Sequence, residues 1–261
     1  GVSEITPEGY ETASLSAENA SRGYNAKKIR FYDEKGEIIS DLSGRYYSVK
    51  AASVLPDYTA SEKLFIGWKI GDGLYKVGGS VSAKTVNAYD NVYAATIGFS
   101  TFEGVYFRIG ENARVSGIRF DTTINSDDYA ANENFITEYG TLILPSDSLD
   151  GKEITLENFI ADETVLKIKS TNYLAENDVM IYRGAIFSVK ESNYNRDFSA
   201  RGYITIKYSD GSTANFYSGT TAKNSVAYMA KWYKENQSEA YGGLSEDRKA
   251  IVDAYAAAYQ A

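Results

Sequence analysis

The 261-residue sequence has no cysteine and no histidine, and only three prolines and two methionines. Those two missing side chains exclude a Ser-His-Asp triad, a thiol nucleophile, an imidazole acid or base, a Cys/His zinc site and a disulfide. Any chemistry falls to carboxylates, Lys, Tyr, Ser or Thr. Positive charge is in deficit as well: 27 Lys and Arg against 35 Asp and Glu leave a formal net charge of -8. Affinity for a phosphate backbone comes from clustered cations, so nucleic acid is not an expected partner. Long apolar runs are also missing. No stretch approaches the ~20 residues that cross a bilayer, and no basic-then-apolar leader opens the chain. Membrane insertion is therefore not expected of this sequence. It opens at Gly1 in polar surroundings, which fits a leader cut away upstream. Absent cysteine fits a secreted protein and a cytosolic one nearly equally, and the abundance of Tyr, Thr, Ser and Asn turns the expectation to an extracellular or cell-wall protein.

What is present describes a globular chain: 43% hydrophobic residues, 24% charged residues and 23 tyrosines. Its length favours two domains over one. Residues 1–26 are polar and aperiodic and read as a linker or an edge strand. From Lys27 the texture becomes β-like. Residues 28–32 alternate, Asp33–Gly36 reads as a turn and Glu37–Ile39 as the returning strand of a hairpin. Further strands are expected at 46–49, 64–70, 74–77 and 91–97, with a boundary near residue 100. Beyond it, strands are expected at 104–109, 113–123, 140–144, 165–169, 180–189, 200–208 and 213–217, with a tight Asp-Gly turn at Asp210–Gly211. One helical segment, Asp127–Phe135, follows Asn125 or Ser126 as cap. Two short helices close the chain over about 222–261. One carries Val226, Met229 and Tyr233 on a face; the other carries Ile251, Val252, Tyr255, Ala258 and Tyr259 behind the N-cap Ser245. The final helix is expected to contact little. The expected fold is mainly β: a small β-grasp-like or hairpin module over 27–100, then an antiparallel β-sandwich over 101–261 with two short C-terminal helices.

Three blocks in the first module, Ile29-Arg30-Phe31-Tyr32-Asp33, Phe65-Ile66-Gly67-Trp68 and Val92-Tyr93-Ala94, resemble the Listeria-Bacteroides (internalin B-type) repeat, a small β-grasp-like surface module. The resemblance covers roughly residues 27–97. Ala95 and Thr96 stand where that family closes on a Trp, and Pro56 is the lone proline of the central loop. The second module, through Ser116–Phe120, Glu138–Ile143, Asp197–Ile204 and Asp210-Gly211, is similar to β-rich domains of secreted and cell-wall proteins of gut Firmicutes. Those domains are uncharacterised, so the resemblance implies a habitat and no site residues.

The candidate sites are few. Trp68 reads as a core residue, with a sugar-stacking platform as the alternative. Trp232 reads as packing of its helix. The tyrosines at 46–47 and at 10, 24, 58, 89, 139, 173 and 194 fall in or near expected loops. They are either a glycan- or protein-binding surface or ordinary strand residues. Arg119 and Arg201, with Asp121 and Asp197 near in sequence, are expected as cations fixed by carboxylates or carbonyls. Glu103, Glu111, Asp121, Glu138 and Glu157 are the acids that a carboxylate-pair hydrolase would draw on. Asp127-Asp128, Asp147 with Asp150, and Asp210 fit no twelve-residue calcium loop, and Gly71-Asp72-Gly73 and Gly78-Gly79 fit no phosphate loop.

No catalytic, cofactor or metal residue is assigned, and no cofactor is expected. The expectation is a monomeric, non-enzymatic module of a secreted or cell-surface bacterial protein that spaces or presents a binding or adhesion surface, its partner a host or dietary glycan or a surface protein. The alternatives are a carbohydrate-binding accessory module of a glycan-degrading enzyme and, third, a carboxylate-based hydrolase.

Overall fold

The computed structural model describes Glu4–Ile5, Ala13–Ser14 and residues 26–43, 46–48, 51–159 and 164–260. Strand outweighs helix, 42% to 24%, so the chain is mainly β as expected. It packs as two compact units. The first comprises residues up to Gly98 together with Ala130–Phe135 and Ile206–Ala214; the second holds the remainder.

In the first unit, β1 (Glu4–Ile5) and β2 (Ala13–Ser14) form an antiparallel pair, and the other residues up to Asn25, Tyr10 and Tyr24 among them, lie outside the described residues. There follow β3 (Ala26–Lys28), β4 (Arg30–Tyr32), β5 (Tyr46–Ser48), β6 (Ser53–Val54), β7 (Leu64–Ile70), β8 (Gly73–Tyr75), β9 (Ser80–Val81), helix α1 (Ala83–Ala88) and β10 (Asn91–Ile97). Val49, expected to end the β5 segment, lies outside the described residues. The main sheet has the order β4-β10-β7-β8. Strand β10 runs parallel to β4 and antiparallel to β7, so the strands that open and close this sheet lie side by side.

The hairpin expected over 28–39 forms in a short version, with the Asp33 amide donating to the Glu37 carbonyl at 2.9 Å and the Ile39 amide to the Phe31 carbonyl at 2.8 Å. The Asp33 carboxylate accepts the amides of Lys35 and Glu37, each at 2.8 Å, but the returning segment makes a single bridge, Ile38 to Tyr32. The next ladder position is taken by a side chain: Ser43 Oγ accepts the Phe31 amide at 3.0 Å. Helix α1 was not expected. It has six residues and one buried side chain, Val86, too little for a helical period, and is started by Ser82 Oγ accepting the Thr85 amide at 3.2 Å.

The core of this unit gathers Ile29, Phe31, Leu55, Ile70, Val86 and Val92 around Trp68, which is fully buried. At its rim the Tyr58 hydroxyl donates to Glu34 Oε2 at 2.5 Å, and the Ser61 amide and hydroxyl donate to Oε1 at 3.0 and 2.9 Å. Burial pushes the Glu34 carboxyl up, but these hydrogen bonds outweigh it and hold the group at about 2, below its ordinary 4.5. A depressed folded-state value means stability that is present above pH 4.5 and lost as pH falls from there toward 2. Urea midpoints across that window should therefore fall less steeply in Tyr58→Phe than in the parent, and equal slopes would refute the assignment.

The chain continues with β11 (Phe99–Arg108), β12 (Gly117–Asn125), α2 (Ser126–Asn132), β13 (Ile136–Pro145), β14 (Leu166–Lys169), β15 (Leu174–Glu176), β16 (Val179–Phe187), β17 (Asp197–Lys207), β18 (Thr213–Tyr217), β19 (Ala222–Ser225), α3 (Val226–Asn236), α4 (Ser238–Gly242) and α5 (Glu246–Ala257). Helix α2 begins where Asn125 Oδ1 accepts the Asp128 amide at 3.0 Å, and a 3-10 turn, Glu133–Phe135, completes the segment expected as one helix. The Asp-Gly hairpin joins β17 to β18 as expected. Gly211 takes a φ of +84°, the left-handed region that glycine enters without strain, while Asp210 Oδ1 accepts the Ser212 amide at 2.9 Å.

The second unit is β-sandwich-like. One sheet has the order β11-β12-β16-β15; the other has β14-β13-β17-β18, with β19 also on β17. The pairs described in them are antiparallel. Alternation along the strands divides the side chains. Ile118 and Phe120 of β12, with Ile143 of β13 and Ala200 of β17, enter one cluster that also takes Val226, Met229, Val252 and Tyr255 of the helices. Leu142, Leu144 and Tyr203 lie on the other face of β13 and β17, under Ile154 and Phe159. The C-terminal region holds three helices rather than two, because Ser238–Gly242 adds a turn of its own and Gly242 belongs to it. Among the described residues no helix is long and apolar enough to cross a membrane.

Candidate functional site

Strand β11 leaves its ladder midway. Thr101 pairs with Thr122 and Val105 with Phe120, so three residues of β11 stand opposite one of β12. Bulges of this kind turn side chains out of the pleat. Here they turn out Phe102 and Glu103, both exposed. Gly104 makes room for the ring: a Cβ there would lie 2.2 Å from the Phe102 ring edge. The strand is pinned before the bulge by a buried hydroxyl cluster, in which Thr101 Oγ1 lies 2.6 Å from Ser218 Oγ and accepts the Gly202 amide at 2.8 Å. Past the bulge, Tyr106 stacks on Phe102 with centroids 5.7 Å apart and planes 24° apart. The Arg119 guanidinium lies 4.4 Å from the Tyr106 ring centre, and the half-buried arginine is held by the Asp121 carboxylate at 2.8 and 3.2 Å. Arg119 is thus fixed by a carboxylate, as expected, and positions an exposed aromatic ring.

Helix α3 supplies the opposite wall. Ser225 Oγ caps it by accepting the Tyr228 amide at 3.1 Å, and Val226, Ala227, Met229 and Ala230 are buried. That orientation leaves Tyr228 and Trp232, one turn apart, on the outward side, each 38% exposed. Between the two walls runs a groove of about 590 Å³ lined by Phe102, Tyr106, Tyr228, Trp232 and Tyr233, with Glu103, Asn224 and Gln237 among its polar groups. Large aromatic side chains usually lie buried, so four exposed rings around one concavity make this groove a candidate binding site. Trp232, expected as packing of its helix, is instead a wall of this groove.

The other candidates have structural partners. Trp68 is a core residue whose indole N–H donates to the Pro56 carbonyl at 2.8 Å. Tyr47 is buried, Tyr58 bonds Glu34, Tyr194 packs against Tyr255 at 4.5 Å, and the Tyr139 ring lies 5.2 Å from that of Tyr182. Tyr89 and Tyr173 are exposed on different units, and the side chain of Tyr46 lies outside the described residues. Arg201 donates to the Ser218 carbonyl at 2.7 Å and to Glu153 at 3.2 Å, whereas Asp197, its neighbour in sequence, pairs with Lys223 at 3.2 Å.

Of the acids, Lys167 at 2.5 Å holds the Glu138 carboxyl below its usual range against the opposing effect of burial. Burial raises Glu157, but the Tyr217 hydroxyl and the Asn215 amide outweigh it and keep this carboxyl low as well. A glycosidase general acid needs the opposite shift. Asp147 is gripped by Arg196 and Asp210 by Lys76. Among the described residues no group of three or more acidic side chains is placed to hold a metal ion.

The groove residues missed in the sequence had one legible signal, the four-residue spacing of Tyr228 and Trp232 opposite Val226 and Met229. Phe102 and Tyr106 depend on a bulge that no local pattern announces. No family model, curated protein or solved structure matches this chain.

Proposed function

We propose that this chain is a non-catalytic binding module of a secreted or cell-surface bacterial protein, and that its second unit captures the ligand in the groove between β11 and α3. The observation that carries this reading is the clustering of exposed Phe102, Tyr106, Tyr228 and Trp232 on a braced strand and a capped helix. Rigid rings set on fixed elements bind at low entropic cost. Support for the surface location comes from the tyrosine-rich composition, 23 residues of 261, and from the resemblance of residues 27–97 to a bacterial surface repeat.

The test is binding of the intact chain to immobilised glycans and extracellular proteins, with release of reducing ends followed in parallel. The expected result is saturable binding to at least one class, weakened about tenfold or more in Trp232→Ala and in Tyr106→Ala, with no bond cleaved. Binding indifferent to both variants, silence across the panel, or turnover of the ligand would overturn the reading.

A further inference from the structure

We infer that the groove takes a neutral oligosaccharide chain, and that the chain runs past Tyr228 into a second basin on the same unit. This rests on the groove being a ligand site. The second basin, of about 480 Å³, shares Asn224 and Tyr228 with the first and is lined beyond them by Asn195, Asp197, Tyr259 and Gln260. Each basin alone is as large as an ordinary ligand pocket. The Tyr259 ring follows Tyr228 at 5.6 Å, so aromatic faces continue from Phe102 and Tyr106, past Trp232 and Tyr228, into the second basin.

Polar groups decide the ligand class. Flat rings accept the C–H faces of sugars, but a sugar also needs hydrogen-bonding groups beside the ring to meet its hydroxyls. The indole N–H of Trp232, the hydroxyls of Tyr106, Tyr228 and Tyr259, the side-chain amide of Gln237 and the Glu103 carboxylate make no hydrogen bond among the described residues; Asn224 uses its side-chain oxygen on the Ser225 amide and keeps its side-chain nitrogen. A wholly apolar ligand such as an acyl chain would leave this ring of donors and acceptors unpaired on being buried.

Charge decides the subclass. The two linings contain Glu103 and Asp197 and no Lys or Arg. Asp197 is neutralised by Lys223 at 3.2 Å; Lys231 lies over the Tyr259 ring at 4.8 Å, and Arg119, 4.4 Å from the Tyr106 ring, is already paired with Asp121. A uronate, sulfate or sialate would meet Glu103 with no cation lining the groove to pair with it, in a chain of net charge -8. Neutral sugars avoid that repulsion, and Glu103 can accept from two of their hydroxyls.

The test is calorimetric titration of the intact chain with cello-, xylo-, manno- and galacto-oligosaccharides from disaccharide to hexasaccharide, with polygalacturonate and heparin as anionic probes. One neutral series should gain about tenfold or more in affinity with length. Trp232→Ala should weaken every length, and Trp232→Phe should recover part of the loss. Tyr259→Ala should weaken the hexasaccharide about tenfold and leave the disaccharide unchanged, with Tyr259→Phe close to the parent. An unchanged thermal midpoint in each variant identifies these as losses of contact. Affinity independent of length, equal effects of Tyr259→Ala at all lengths, or tighter binding of the anionic probes would overturn the inference. Silence of every sugar, or capture of an extracellular protein through Trp232 without any sugar, would overturn it while leaving the binding-module reading intact; silence of the extracellular proteins as well would end both.

Discussion

Replacing Trp68 with alanine should cost the first unit about 3–5 kcal/mol, the range for deleting a buried aromatic side chain. The indole is fully buried, set edge-on to Phe31 at 4.9 Å and to Phe65 at 5.0 Å, and tilted against Tyr58 at 5.4 Å. Alanine removes all three contacts and leaves a void the size of the indole among strands that cannot close over it. It also leaves the Pro56 carbonyl, buried and bonded by the indole N–H at 2.8 Å, without its donor. Phenylalanine fills most of the void and loses only the hydrogen bond and part of the surface, so Trp68→Phe should cost clearly less. Trp232 is the second of the chain's two tryptophans and belongs to the other unit, so fluorescence of the variant does not report on the damaged core. Amide exchange does: protection along β4, β7 and β10 should collapse in Trp68→Ala and persist in Trp68→Phe. Unchanged protection in the alanine variant would refute a structural role for this residue.

Trp68 was legible because its signal is local: Phe65, Ile66 and Trp68 are consecutive apolar residues of one strand around a single glycine. The Asp210-Gly211 turn was legible for the same reason. What escaped is what depends on partners distant in the chain. The parallel pairing of β4 with β10 has no local signature, nor does the capture of the Phe31 amide by the Ser43 hydroxyl. Strands β6, β9, β15 and β19 have two to four residues each, too few to show a period of two. The tyrosine-rich loops drew attention by composition, yet the exposed aromatic cluster is built from a bulged strand and a helix more than a hundred positions apart. Arg119 and Arg201 looked alike in sequence and diverge in structure. One grips Asp121 and steadies an exposed ring, while the other serves a carbonyl and Glu153.

The last helix is the sharpest case, because sequence led to the expectation that it would contact little, and Tyr255→Ala shows what is at stake. Val252 and Tyr255 are buried, and the Tyr255 ring sits between Phe107 of β11, 5.7 Å away and nearly perpendicular, and Tyr194 at 4.5 Å. Tyr255 is the aromatic anchor of α5: it is buried in the hydrophobic cluster together with Val252, and Ile251 and Ala256 pack against the same cluster. Deleting that anchor should cost about 3–5 kcal/mol. Met229 and Ala230 of α3 share the cluster with Val252 and Tyr255, so the loss should loosen the helix that carries Trp232 and lower ligand affinity at a site the mutation does not touch. Tyr255→Phe separates ring from hydroxyl. The hydroxyl makes only long bonds, 3.3 Å to the Ala113 carbonyl and 3.5 Å to that of Ser116, so its removal should cost under about 1 kcal/mol at neutral pH. At alkaline pH the two proteins should differ. Burial, aided by Tyr194, pushes the Tyr255 phenol up to about 12 from its ordinary 10, so its contribution to stability is complete below pH 10 and is lost as pH rises toward 12. The midpoint of the parent should fall more steeply through that interval than that of Tyr255→Phe. Parallel curves would refute the burial of the hydroxyl, and a Tyr255→Ala protein as stable as the parent and with the same ligand affinity would mean that α5 does not brace the groove.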